Sequence, residues 1–233
     1  MRHLKPFVDR RLAGYCIYCF GPPNTRDHVP PRIFLDEPYP DNVPVVPACD
    51  RCNQEASLDE QYVACLVEVA ASGSTDPGRL RRPKISRTLT RRPALAALIT
   101  QSVVETQDGL AVTPDHQRVE RVFAKIGRGV RTFETGELSG DDVATVTYRP
   151  LSELDADAVA RFYEIQPPDL LPEVGSRMMQ RVLITNEKRV TNEWEVLQPG
   201  QFEYAVEYLG SMTRVKFVVG NYLAVEVDLE KAE

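Results

Sequence analysis

Apolar residues recur along this chain with two different periods, and the change of period divides it. Leu58, Tyr62, Val63, Leu66, Val67 and Ala70 repeat at helical spacing, which predicts a helix over 58–71. Ser57 and Glu60 ahead of them fit a capping box. Leu95, Leu98, Ile99 and Val103 predict a second helix over 91–106, closed by Asp108-Gly109. Val119, Val122, Phe123, Ile126, Val130 and Phe133 form the stripe of a third, which ends near residue 134. Thr113 is its expected N-cap, with Pro114 in the first turn. Gly127 and Gly129 lie inside that stripe at about 1 kcal/mol each relative to Ala and would permit close helix packing; no strand precedes them, so a phosphate-binding glycine loop is not expected.

Beyond residue 142 the period falls to two. Val143 to Tyr148 reads as a strand, and Ser152 to Glu164 as a short helix. Alternation then runs through Val182/Ile184, Phe202/Tyr204/Val206/Tyr208, Val215/Phe217/Val219 and Tyr222/Ala224, with breaks at Gly210 and Gly220-Asn221. These segments predict an antiparallel sheet. Its alternating aromatics read as one buried face rather than a base-stacking platform. The fold class is therefore α+β, a helical segment followed by a C-terminal antiparallel sheet.

The first 56 residues follow neither period. They carry C-I-Y-C at 16–19, T-R-D-H-V-P-P-R at 25–32 and C-D-R-C-N at 49–53. Cys16/Cys19 and Cys49/Cys52 are two C-x2-C pairs, the spacing of a tetrahedral structural zinc site. Such a clamp would hold Asp27 and His28 in the loop between the pairs, with Asn53 leaving the second pair directly after its last ligand. Ile33-Phe34-Leu35 is expected to pack beneath the Asp-His turn, and Val43, Val45 and Val46 to run extended into Cys49. Cys65, the fifth cysteine, reads as a small buried hydrophobe on the first helix.

The order C-x2-C, D-H-x-x-P, C-x2-C-N resembles the zinc-clamped branch of the HNH, or ββα-metal, endonucleases. The matching residues are Cys16, Cys19, Asp27, His28, Pro31, Cys49, Cys52 and Asn53, and the likeness covers roughly the first seventy residues. Many members of that family carry a middle Asn shortly before the second clamp. The candidate here, Asn42, lies farther upstream of Cys49 than usual. The resemblance implies an N-terminal ββα-metal module at 1–72 and hydrolysis of DNA phosphodiester bonds. His28 would be the general base, and Asp27 and Asn53 would hold one catalytic Mg2+ or Mn2+ apart from the structural Zn2+.

The chain has 233 residues and a net charge of −6, which by itself does not advertise a nucleic-acid partner. The distribution is uneven. Arg79, Arg81, Arg82, Lys84, Arg87, Arg91 and Arg92 occur with no acidic residue between Asp76 and Glu105. Residues 73–92 are therefore expected to be a basic linker between the zinc module and an α+β domain at 93–233. Arg81 and Arg82 in it, with Arg26 and Arg32 beside the Asp-His pair, are the candidate phosphate-binding residues. No apolar run is long enough to span a bilayer, and Met1 to Lys5 lack a signal-peptide character. With an odd cysteine count, the expectation is a cytoplasmic protein with no membrane contact. Two classes of function stand from the sequence: a metal-dependent nuclease, and a non-catalytic zinc module that recognises nucleic acid or protein.

Overall fold

The computed structural model describes residues 14–107, 109–138, 142–166, 173–184 and 193–230. The N-terminal stretch at 1–13 lies outside them.

The chain opens with a short antiparallel hairpin, β1 (Thr25–His28) and β2 (Val45–Ala48), in which Asp27 faces Val46 and His28 faces Val45. Helix α1 (Asp50–Glu55) follows directly, then α2 (Ser57–Ser72). Phe34 and Leu35 are buried beneath the hairpin, as their apolarity predicts. Cys65 on α2 is fully buried, and burial pushes its thiol up to about 12, so it is a packing residue. Helix α2 ends where Gly73 takes the left-handed conformation, with φ 61°.

The expected capping box is not formed. Ala56 precedes α2, Ser57 makes no cap bond, and Glu60 instead meets Lys125 from a distant helix. The stretch read as a basic linker contains a helix, α3 (Pro83–Arg91), which buries Ile85 and Leu89 in the core. The second helix is shorter than its periodicity suggests. α4 (Pro93–Gln101) stops before Val103-Val104, whose branched side chains favour extended backbone, and β3 (Val103–Thr106) pairs with β4 (Gly109–Val112) instead.

Helix α5 (His116–Thr135) starts two residues later than the expected cap: Asp115 accepts from the Arg118 amide, and Pro114 lies before it. The sheet then forms from β5 (Val143–Pro150), β6 (Glu195–Gln198), β7 (Phe202–Leu209), β8 (Met212–Val219) and β9 (Leu223–Glu230), antiparallel in the order β5-β9-β8-β7-β6. Helix α6 (Ala156–Tyr163) brings Phe162 against Val218 and Ala224 on the sheet. Val182 and Ile184 are not in a strand. They end α7 (Arg177–Ile184), whose first turn is capped where the Met179 amide donates to the Ser176 hydroxyl. Phe202, Tyr204 and Tyr208 are buried, so the aromatics line the core as expected.

α5 joins the two halves. One apolar cluster runs from Ile17 and Val29 at the hairpin through Phe123 and Ile126 to Val227 and Leu229 in the sheet. The two helical glycines make this possible. A Cβ at Gly127 would lie 2.7 Å from Val227, and one at Gly129 would lie 2.6 Å from Val29, immediately after the Asp-His pair.

Candidate metal centre and hairpin site

Cys16 and Cys19 stand in a tight turn in which the Phe20 amide donates to the Cys16 carbonyl and the Cys16 amide to the Gly21 carbonyl. Cys49 is the N-cap of α1, its sulfur accepting from the Cys52 amide at 3.5 Å, and Cys52 sits in the first turn. The Ile17 amide donates to the Pro47 carbonyl, which draws the first pair onto β2 next to the second. Asn24 and Asp50 lock the same junction reciprocally. The Asn24 amide nitrogen donates to the Asp50 carboxylate at 2.7 Å, and the Asp50 backbone amide donates to the Asn24 oxygen at 2.8 Å.

The outcome is a cluster in which all four sulfurs lie within 4.8 Å of one another. A tetrahedral site with Zn–S bonds of about 2.3 Å places its sulfurs about 3.8 Å apart, and Cys19 and Cys49 are separated by 3.7 Å. The four cysteines can therefore hold a metal ion such as zinc. Among the described residues this is the one group of three or more His, Cys, Asp or Glu side chains that can do so.

The hairpin presents its residues on two faces because side chains alternate along a strand. Arg26 is exposed and His28 half-buried, whereas Asp27 is buried. Asn53, one residue past Cys52, donates its side-chain nitrogen to the Arg26 carbonyl at 3.3 Å, so α1 is stitched to β1 at this point. His28 Nε2 receives the Arg32 guanidinium, with Nη2 at 2.9 Å and Nε at 3.3 Å. Arginine has only donors, so Nε2 is the acceptor in this contact.

Asp27 faces inward to a set of partners that sequence reasoning missed. Its Oδ2 accepts from the Tyr18 hydroxyl at 2.9 Å and pairs with Lys125 Nζ at 2.8 Å. The same ammonium lies 2.6 Å from Glu60. Lys125 is buried on α5, and burial alone would lower its pKa; the carboxylates of Asp27 and Glu60 outweigh that and raise it. Burial holds the Glu60 carboxyl above its ordinary value despite the Lys125 charge. It also pushes the Tyr18 phenol well up, with Asp27 beside it adding to the effect.

The arginines separate into two groups. Arg82 is buried and points inward, with its guanidinium 2.9 Å from Asp36 and donating to the Ile33 carbonyl. Arg81 reaches Glu68 at 3.4 Å and the Gly220 carbonyl at 3.3 Å. Arg82 is thus a structural residue and not an exposed phosphate ligand, and Arg81 ties the N-terminal half to the β8–β9 turn. Arg32, by contrast, stands exposed at the mouth of a groove of about 650 Å³ whose far wall carries Arg87, Arg91 and Arg92. An alternation of apolar Ile85 and Leu89 with basic and polar 84, 87, 88 and 91 was the available signal for this face.

No protein-family model, no curated protein and no solved structure matches the chain. No described helix is long and apolar enough to cross a membrane.

Proposed function

We propose that the chain is an HNH-type, metal-dependent endonuclease that hydrolyses phosphodiester bonds in nucleic acid, with DNA as the first substrate to test. The observation that supports this reading is that Asn53 is bonded to β1, the strand that carries His28. The four-cysteine clamp brings α1 against the strand, and Asn53 bonds to it at Arg26. A module that only binds has no need of an imidazole, a buried carboxylate and a pinned amide in that arrangement.

In this reading the cysteine cluster holds structural Zn2+; a full shell of four sulfurs leaves no position for substrate. A second, catalytic cation, Mg2+ or Mn2+, would be held by Asp27 and Asn53. The donor set fits it in part: each residue keeps an oxygen, but Asp27 faces inward to the Lys125 ammonium, on the other face of β1 from His28. Asn53 commits its nitrogen to Arg26, which leaves the hard oxygen as a ligand, and Asp27 spends only Oδ2 on Lys125 and Tyr18. When bound, such a cation polarises the phosphate and relieves charge on the leaving oxygen.

The protein's own residues supply the rest. In this reading His28 is the base. Its Nε2 lone pair is covered by Arg32, so Arg32 must leave it before Nε2 takes a proton from water. A phosphate oxygen is the stronger partner for a guanidinium, and arriving substrate would draw Arg32 away. Arg26 stands exposed on the same face of β1 for a further phosphate contact.

The test is cleavage of supercoiled, linear, branched and single-stranded DNA with Mg2+ or Mn2+. His28→Ala should lower the single-turnover rate by about 10²–10⁴-fold with zinc content unchanged. One observation favours a second reading, a non-catalytic zinc module: both Asp27 and His28 are engaged by internal cations, Lys125 and Arg32. Absence of wild-type cleavage on every substrate would make that reading the better one.

A further inference from the structure

The groove beside the hairpin has a consistent charge and direction. Its near wall is Arg32 with Tyr39, and its far wall is one face of α3 continuing to Arg92. Ile85 and Leu89 anchor the opposite face of α3 in the core, which turns 84, 87, 88 and 91 outward together. Lys84 does not belong to the free charge of this wall. Its ammonium donates to the Arg32 and Leu35 carbonyls and the Tyr39 hydroxyl, closing the near and far walls onto each other. Arg87, Arg91 and Arg92 are different: all three are exposed, and among the described residues none forms an ion pair or a side-chain hydrogen bond. The one acid in the lining, Glu60, is paired with Lys125, which it shares with Asp27.

Three unneutralised guanidiniums on an acidic protein need an explanation. Arg87 and Arg91 are one helical turn apart, about 6 Å along the axis, and Arg92 extends the row. They line an open groove rather than an enclosed pocket of the kind that holds a single phosphate. A row of cations along an open groove matches a polymer of regularly spaced anions. The row also leads to His28, because Arg32 both lines the groove and touches the imidazole at 2.9 Å.

We propose that the α3 groove is the track for the phosphodiester backbone of a DNA strand, with Arg87, Arg91 and Arg92 contacting successive phosphates and Arg32 delivering the strand to His28. The proposal rests on the reading of the hairpin as a nucleic-acid site, and it assigns the binding face to residues the hairpin does not contain.

The experiment measures binding of a labelled duplex and of a single-stranded oligonucleotide by fluorescence anisotropy across salt, without added divalent cation, using the full zinc-loaded chain. The test variant is Arg87→Gln/Arg91→Gln/Arg92→Gln. The charge-matched control is Arg79→Gln/Arg149→Gln/Arg161→Gln, three arginines outside the groove lining. Zinc content and far-ultraviolet circular dichroism establish that both variants are folded. The expected result is a fall in the salt slope of about 2–3 for the groove variant on duplex, from about 0.9 per lost phosphate contact, and little change for the control. Equal losses in both variants, an unchanged slope in the groove variant, or no DNA binding by wild type would overturn it. Binding through the groove without cleavage under any metal condition would leave this proposal standing and remove the nuclease reading.

Discussion

Lys125 on α5 places its ammonium 2.8 Å from Asp27 on β1, so a residue from the middle of the chain pairs with the acid beside the candidate base. Glu60 on α2, 2.6 Å from the same nitrogen, completes the contact. Removing the cation leaves two buried carboxylates facing each other without compensation. Lys125→Met should cost about 3–5 kcal/mol in urea unfolding. Adding Asp27→Asn and Glu60→Gln to it should recover most of the loss. A single-variant loss below about 1 kcal/mol would show that the ammonium is not compensating these charges.

The same geometry separates two kinds of site variant. Asp27→Ala should destabilise the protein because it removes the acceptor of the buried Tyr18 hydroxyl and one of the two carboxylates on Lys125, whereas Asn53→Ala removes only a half-buried amide bonded to one carbonyl. Asn53→Ala should therefore keep the wild-type melting temperature within a few degrees while weakening Mn2+ binding, followed by titration calorimetry. Tight Mn2+ binding retained by Asn53→Ala would exclude it as a ligand.

Gly129 allows α5 to lie directly on the hairpin. Gly129→Ala brings a methyl group to 2.6 Å from a Val29 methyl in a closed core, and the expected loss is about 1–3 kcal/mol despite the better helix propensity of alanine. Val29→Ala makes room for the new methyl, so the double variant should lose less than the sum of the two single ones. Additive losses in denaturant unfolding would mean that the two side chains do not meet.

The metal cluster makes a prediction in thiol chemistry. Zinc should be present at one ion per chain, and its sulfurs should resist alkylation until a chelator is added; Cys16, Cys19, Cys49 and Cys52 should then label ahead of buried Cys65. Cys49→Ser should remove zinc and the hairpin's protection against proteolysis. Protein purified natively with no zinc, or a Cys49→Ser variant with unchanged melting, would refute the assignment.

Arg82 and Arg87, five positions apart in one basic run, should behave oppositely. Arg82→Met strands Asp36 and the Ile33 carbonyl and should cost about 3 kcal/mol in stability. Arg87→Gln should leave stability within about 0.5 kcal/mol, since it alters an exposed side chain with no ion-pair partner. Equal effects on unfolding would mean that the two guanidiniums share an environment.

These contrasts mark the division between what was legible in the sequence and what was not. The paired C-x2-C spacings were enough to expect the cysteine cluster, because close spacing in a chain limits how far two ligands can separate. Periodicity located α2, α5 and the strands β7 to β9, since each buries one face and the buried positions must repeat with the element's own geometry. It misplaced the end of α4 and assigned Val182 and Ile184 to a strand. Over so few residues, apolar runs satisfy both periods, and β-branching or a Ser176 cap decides. No local pattern joins Lys125 to Asp27, or distinguishes buried Arg82 from exposed Arg87 among seven similar cations. Those distinctions depend on which face of a helix meets a partner distant in sequence. Packing of α5 through Gly127 and Gly129 decides the first, and burial of Ile85 and Leu89 decides the second.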